Sequence, residues 1–144
     1  MKLELNIDEK VKETLVVVSA NKIDKEVQNL INYIEYSSEY LIGIVEDKAS
    51  IIDIDEIIRV YIEDRKTFVV TVKDTYVVKK KLYEVESMVT RNFIKISQSE
   101  IANIKFIKNL DFSNAGTIVI KYKNSDISYV SRRMIKEFKL KLGI

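Results

Sequence analysis

Near Tyr40 the hydrophobic period of this chain changes, and that change constrains the fold more than any other feature. Downstream, apolar and polar residues alternate through "LIGIVED", "ASIIDID", "IIRVYIED", "KTFVVTVKD" and "TYVVKKK". A period of two over successive short runs predicts strands. Asp74-Thr75 sits where a tight hairpin turn is expected. Upstream the period is different. Ile23, Val27, Leu30, Ile31 and Ile34 form one stripe at helical spacing, with Asn21 or Asp24 as the cap. Before that helix, "KLELNI" alternates and "TLVVVSA" is a β-branched run, so both read as strands. A strand-strand-helix unit of this size cannot bury its apolar faces alone. It must pack on the rest of the chain or on a second copy. The boundary between the two parts is expected around "YSSEY".

The remainder of the chain continues the β pattern with two helical interruptions. "KKLYEVESMV" places Leu82, Val85, Met88 and Val89 on one side of a helix, and "NFIKIS" is extended again. "SEIANIKFIKNLDF" reads as short strands with an irregular start. "NAG" and "NSD" are turn signals flanking the strand "TIVIKYK". After a last strand, "ISYV", a C-terminal helix is expected from Ser131, with Met134, Ile135, Phe138 and Leu142 as its apolar stripe. The predicted class is therefore α+β. A small N-terminal α/β unit, residues 1–40, precedes a mainly antiparallel β domain, residues 41–144, with a short internal helix and a C-terminal helix.

That C-terminal helix poses a question. Arg132 and Arg133 would occupy its first turn, where the positive end of the helix dipole disfavours each cation by about 0.3–1 kcal/mol. An arginine fork there makes sense if it faces an anion or a guanine edge.

Composition removes most chemistry. The chain has no histidine and no cysteine, so the commonest general base, the commonest metal ligand and any thiolate are missing. Its three glycines form no phosphate-cradling loop. Catalytic residues, a cofactor, a metal site and a small-molecule substrate are not expected. The cluster "DIDE", residues 53 to 56, would put Asp53 and Asp55 on one strand face. It lacks a third ligand in any obvious place. No apolar run approaches the ~18 residues of a membrane span, and "MKLELNIDEK" is not a signal peptide. A cytoplasmic location is expected.

Charge is distributed unevenly. Residues 1–64 carry 7 Lys/Arg against 15 Asp/Glu, whereas residues 65–144 carry 17 against 7. A basic half of this kind suits a polyanion.

Residues of about 41 to 143 resemble the LytTR DNA-binding domain of bacterial regulators. The resemblance is carried by "IIDIDEIIRVYIED", "KTFVVTVKD", "YVVKKKLYEVES", "NFIKISQSEIANIKFIKNL" and the closing "VSRRMIKEFKLKLG". It implies a mostly antiparallel fold that reads duplex DNA with loops, including Lys66 and Thr67 of a first loop, Lys95, Ser97 and Gln98 of a second, and Arg132 and Arg133. By the resemblance, Arg133 is the base-contacting arginine. Gln98 has the groups for bidentate contact to adenine, and Lys95 and Ser97 can reach phosphates. Where the family has His and then a basic residue before the serine, this chain has Ser97 and Gln98. That departure leaves a second reading open, a protein-interaction module of the same fold with weak or no DNA binding. Ser97 and Gln98 also suit a turn that holds its own backbone, and Asn103 suits a fold element. The tyrosines at 33, 36 and 40 suit packing or self-association. The chain further resembles short regulators without a receiver domain, which implies a small integral membrane protein as a restraining partner. A homodimer through residues 1–40 is expected from the apolar surface of that unit. Convergence of Lys66, Lys95, Arg132 and Arg133 on one face would favour DNA over the interaction module.

Overall fold

The computed structural model describes residues 1–36, 40–89 and 92–144. The expected boundary at "YSSEY" falls largely on residues 37–39, outside the described residues, as does the side chain of Tyr36.

The chain begins with irregular backbone, and the two strands expected in "KLELNI" and "TLVVVSA" are not formed. The reason is physical: an alternating segment becomes a strand only against a hydrogen-bonding neighbour, and residues 1–24 have no ladder partner among the described residues. Their apolar side chains remain exposed, with Leu3, Ile7 and Leu15 each at least 78% accessible. Helix α1 (Lys25–Tyr36) follows as expected. Asp24 caps it, accepting from the Val27 N–H at 3.0 Å. Only one side of its stripe is covered, where α1 rests on α2 (Leu82–Met88).

Ten strands follow: β1 (Ile42–Val45), β2 (Lys48–Ile51), β3 (Ile57–Glu63), β4 (Lys66–Thr71), β5 (Thr75–Val78), β6 (Phe93–Ser97), β7 (Glu100–Asn103), β8 (Ile107–Asp111), β9 (Ile118–Tyr122) and β10 (Ile127–Val130). The first seven form one sheet in the order β2-β1-β5-β4-β3-β7-β6, and the last three a second in the order β10-β9-β8. Every described pairing is antiparallel. The part of the larger sheet formed by β3, β4, β6 and β7 is buried on both faces. On one, Ile57, Val60, Val69, Val78 and Ile101 pack with Leu82 and Val85 of α2. On the other, Ile58, Val70, Ile96 and Ala102 meet Ile118, Ile120, Tyr122 and Val130 of the small sheet, with Phe138 of α3 (Ile135–Leu142). Burial on both faces explains why the alternation is interrupted by consecutive apolar residues, Ile57-Ile58 in β3 and Phe68-Val69-Val70 in β4. Gly43 is dictated by space: a Cβ there would lie 2.6 Å from Tyr76 and from Ile52.

"DIDE" is not a strand. Asp53 caps a 3-10 turn, Ile54–Glu56, by accepting from the Asp55 N–H at 3.0 Å. The same device recurs where Asn103 accepts from the Lys105 N–H at 3.0 Å and caps Ile104–Phe106. Asn103 also donates its amide to the Ile57 carbonyl at 2.7 Å and is buried, the fold element its sequence context suggests.

Candidate nucleic-acid interface

Register decides which polar residues meet. The β3–β4 hairpin closes through Asp64 and Arg65, both at positive φ (49° and 63°), so Glu63 pairs with Lys66 and Ile62 with Thr67. Two consecutive residues of this kind form the turn whose twist matches the flanking strands. The β6–β7 hairpin turns at Gln98–Ser99, and Ile62 on β3 donates its N–H to the Ser99 carbonyl at 2.9 Å. The two turns therefore lie side by side at one end of the sheet. β10 ends there too, because Ser131 donates its N–H to the Ile96 carbonyl at 2.8 Å. That bond delivers Arg132 and Arg133 beside the end of β6.

Lys66, Ser97, Gln98, Arg132 and Arg133 thus line one end, ordered across β4, β3, β7, β6 and the start of the C-terminal segment. With neighbouring strands about 4.8 Å apart, Lys66 and Arg132 stand roughly 20 Å from one another. Lys79, Lys80 and Lys81 continue the row, because Val78 of β5 pairs with Thr67. Glu63 and Asp64 share the tip, so the end is mixed rather than uniformly basic. Asp53, Asp55 and Glu56 precede the first residue of β3, and so lie at the opposite end of the sheet.

The individual side chains differ. Lys66, Gln98, Arg132 and Arg133 are exposed, and among the described residues none makes a hydrogen bond or ion pair. Ser97 is partly committed to its own turn, accepting the Ser99 N–H at 3.2 Å. Thr67 is only 7% accessible and faces the α2 side of the sheet with Val69, so its expected DNA contact does not fit its burial. Lys95 departs as well. It pairs with Ile101 and shares that residue's face, lining a cavity with residues of α1 and α2 instead of joining the row.

The arginine pair is not in an α-helical first turn. Arg132–Met134 form a 3-10 turn, α3 proper starts at Ile135, and Ser131 makes no side-chain cap. The cations sit ahead of the helix rather than inside its positive end, which eases the dipole penalty. The Arg132 guanidinium lies against Gly116, where an added Cβ would come within 2.6 Å of its Nη2. Gly116 has a φ of +78°, so the backbone of this turn favours glycine, whereas the exposed arginine beside it could swing aside.

Sequence reasoning missed Arg59. A bulge between Ile57 and Arg59 turns this side chain toward the small sheet. There it donates from Nη1 to Glu100 at 3.1 Å and from Nε to Asp126 at 2.9 Å, and lies over the Tyr61 ring at 4.4 Å. Ser128 donates to the same Glu100 oxygen. Burial tends to discharge the guanidinium, but the two carboxylates hold its pKa above the ordinary value. Tyr122 lies at this cluster, and burial pushes its phenol upward. Arg59 thus ties the two sheets together at Glu100, the first residue after the Gln98–Ser99 turn. The signal in the sequence was an arginine inside the apolar run "IIRVYI".

A family model described as the LytTr DNA-binding domain matches residues 47–143. An uncharacterized HTH-type transcriptional regulator of Staphylococcus aureus (strain MSSA476) is 32% identical, with 100% of this chain and 99% of the relative aligned. A regulator of the same description from strain MRSA252 is 31% identical over the same shares. Among solved structures, a LytTr DNA-binding domain from Bacillus cereus superposes with a TM-score of 0.70 at 22% identity, covering 74% of this chain and all of that one.

Proposed function

The chain belongs to the LytTr DNA-binding domain family, and from that premise we propose that it is a transcriptional regulator that reads duplex DNA with one end of its seven-stranded sheet. The observation that carries this reading is the register-driven convergence of Lys66, Gln98, Arg132 and Arg133, exposed and without partners among the described residues, at the end remote from Asp53, Asp55 and Glu56. In this reading Arg133 takes a guanine edge and Gln98 an adenine edge. Arg132 and Lys66 take phosphates on either side; their ~20 Å separation exceeds the ~12 Å width of the major groove. Ser97 shapes the turn and adds a phosphate contact, while Thr67 and Lys95 stay out of the interface. The S. aureus relatives are described as HTH-type, but α1 and α2 of this chain are separated by five strands, and α2 and α3 by five more. Turns, rather than a consecutive helix pair, do the reading.

The exposed apolar residues of 1–24 and the half-covered stripe of α1 support a homodimer through residues 1–40, with residues 41–144 as the DNA-binding part. Two copies would then recognise repeats separated by near-whole helical turns. The protein acts in the cytoplasm, and the resemblance to short regulators supports a small integral membrane protein as the partner that restrains it.

Titration of a random duplex at increasing salt tests the central claim. With about six phosphates neutralised, log K should fall with a slope of about −5 in log salt. Selection from a random duplex pool should return a defined site, and light scattering should return twice the monomer mass. A flat titration with no retained duplex favours the protein-interaction module instead.

A further inference from the structure

The cavity that Lys95 lines is an open cleft bordered by α1, α2 and the β6 edge of the large sheet, and it measures about 270 Å³. That is near the lower bound of ligand pockets, roughly 300 Å³, a size for a small metabolite and not for a nucleotide cofactor. Its floor is apolar, from Phe93 and Ile101, both buried. Its rim carries two aromatic rings, Tyr33 and Tyr83, which are 57% and 52% accessible.

Two opposite charges line this cavity, Lys95 and Glu86, and both are half-buried. They do not pair with each other, and among the described residues neither has an ion-pair or hydrogen-bond partner. A half-buried lysine and glutamate that share a cavity without meeting leave room for a molecule that bridges them. Asn32 also lines the cavity: its side-chain oxygen accepts from Gln28 at 3.1 Å, which leaves its N–H donors for an anion.

We infer that this cavity binds a free α-amino acid with an apolar side chain. Lys95 and Asn32 take the carboxylate. Glu86 takes the ammonium, which the tyrosine rings also favour through their negative faces. The side chain lies on Phe93 and Ile101. A ligand seated there contacts α1, α2 and β6 at once, so it is an effector that fixes the N-terminal helix against the sheet. The site is separate from the turns at the sheet end, and its test does not depend on DNA binding.

Calorimetry of the full-length chain with L-phenylalanine is the direct test, compared with 3-phenylpropionate, which lacks the ammonium, and 2-phenylethylamine, which lacks the carboxylate. One saturable site is expected, with each single-charge analogue weaker by about tenfold or more, the scale of a charged hydrogen bond. Lys95→Gln should abolish the preference over 2-phenylethylamine, and Glu86→Gln the preference over 3-phenylpropionate. Neither substitution breaks a hydrogen bond or ion pair among the described residues, so melting temperatures without ligand should stay close to the parent; the analogue comparison needs no variant at all. No heat and no thermal shift with L-phenylalanine, L-leucine or L-methionine up to about 10 mM, far above the ~1 mM Kd that a free energy near −4 kcal/mol provides, overturns the proposal. Equal binding of all three phenyl compounds overturns it too, as does L-phenylalanine binding unaltered in both variants.

Discussion

At the end of the large sheet where β3 begins, Asp53 and Asn103 each fold their side chain back onto a backbone N–H and cap a 3-10 turn. About 20 Å away, at seven residues of ~3.3 Å rise, the end where β3 finishes carries Lys66, Gln98, Arg132 and Arg133, which among the described residues bond to nothing. Both ends are polar and both are built from short turns. The difference is commitment: one set of polar groups satisfies the chain itself, the other is held ready by it. Polarity alone therefore does not distinguish the two ends, whereas polarity left unsatisfied on a rigid frame does.

The largest effect that would sharpen this contrast is at the committed end. Asn103→Ala removes a buried donor from the Ile57 carbonyl and the acceptor of the Lys105 N–H. It should cost about 2–3 kcal/mol of folding free energy, read by urea unfolding, with unchanged DNA affinity per folded molecule. A loss of DNA affinity without a loss of stability would break the comparison.

At the uncommitted end the signs should reverse. Arg133→Ala should weaken the preferred site by about 1–3 kcal/mol and relax preference at one base position, while urea unfolding stays within about 0.5 kcal/mol of the parent. Easier unfolding with intact site preference would make that arginine structural. Arg132→Ala should weaken all sequences alike and make the salt slope shallower by about one unit. The smallest effect returns to the first end. Asp53 is exposed, so Asp53→Ala should lose only about 0.5–1 kcal/mol of stability, the scale of a helix cap, and nothing in DNA binding.

What the sequence revealed follows the range of the interactions. The period-2 runs located the strands from β1 to β5, and the stripes at 82–89 and 134–142 located two helices, because these patterns are local. A turn near Asp74 was legible for the same reason, although it occupies residues 72–74 and Thr75 already belongs to β5. "KLELNI" and "TLVVVSA" have the pattern of strands, but a strand also needs a neighbour, and pattern does not supply one. "DIDE" satisfied alternation equally well, yet Asp53 found its partner two residues away and made a turn. Thr67 and Lys95 lay in the right segments, but the face of the sheet decides whether a side chain is offered outward, and β-face is set by packing partners far along the chain. Arg59 was missed outright, since its acceptors lie 41 and 67 residues away. Of the candidate site, the Lys66, Ser97, Gln98 and Arg132–Arg133 positions were legible as segments, and their meeting at one end was not.

The order of strands has a further consequence, in time rather than space. Hairpins β1–β2, β3–β4, β4–β5, β6–β7, β8–β9 and β9–β10 each join neighbours in sequence and close over short loops. The ladder β3–β7, the bond from Ser131 to Ile96 and the Arg59 bridge to Asp126 close over much longer ones, and long closures are the slow steps of folding. The turns that carry Lys66, Gln98 and Arg132 belong to three separately formed pieces. Each piece can form early, but the end they build together exists only once the pieces have docked. Its arrival therefore reports completion of the fold, and a partly folded molecule presents the same charges without the spacing that would let them read a sequence.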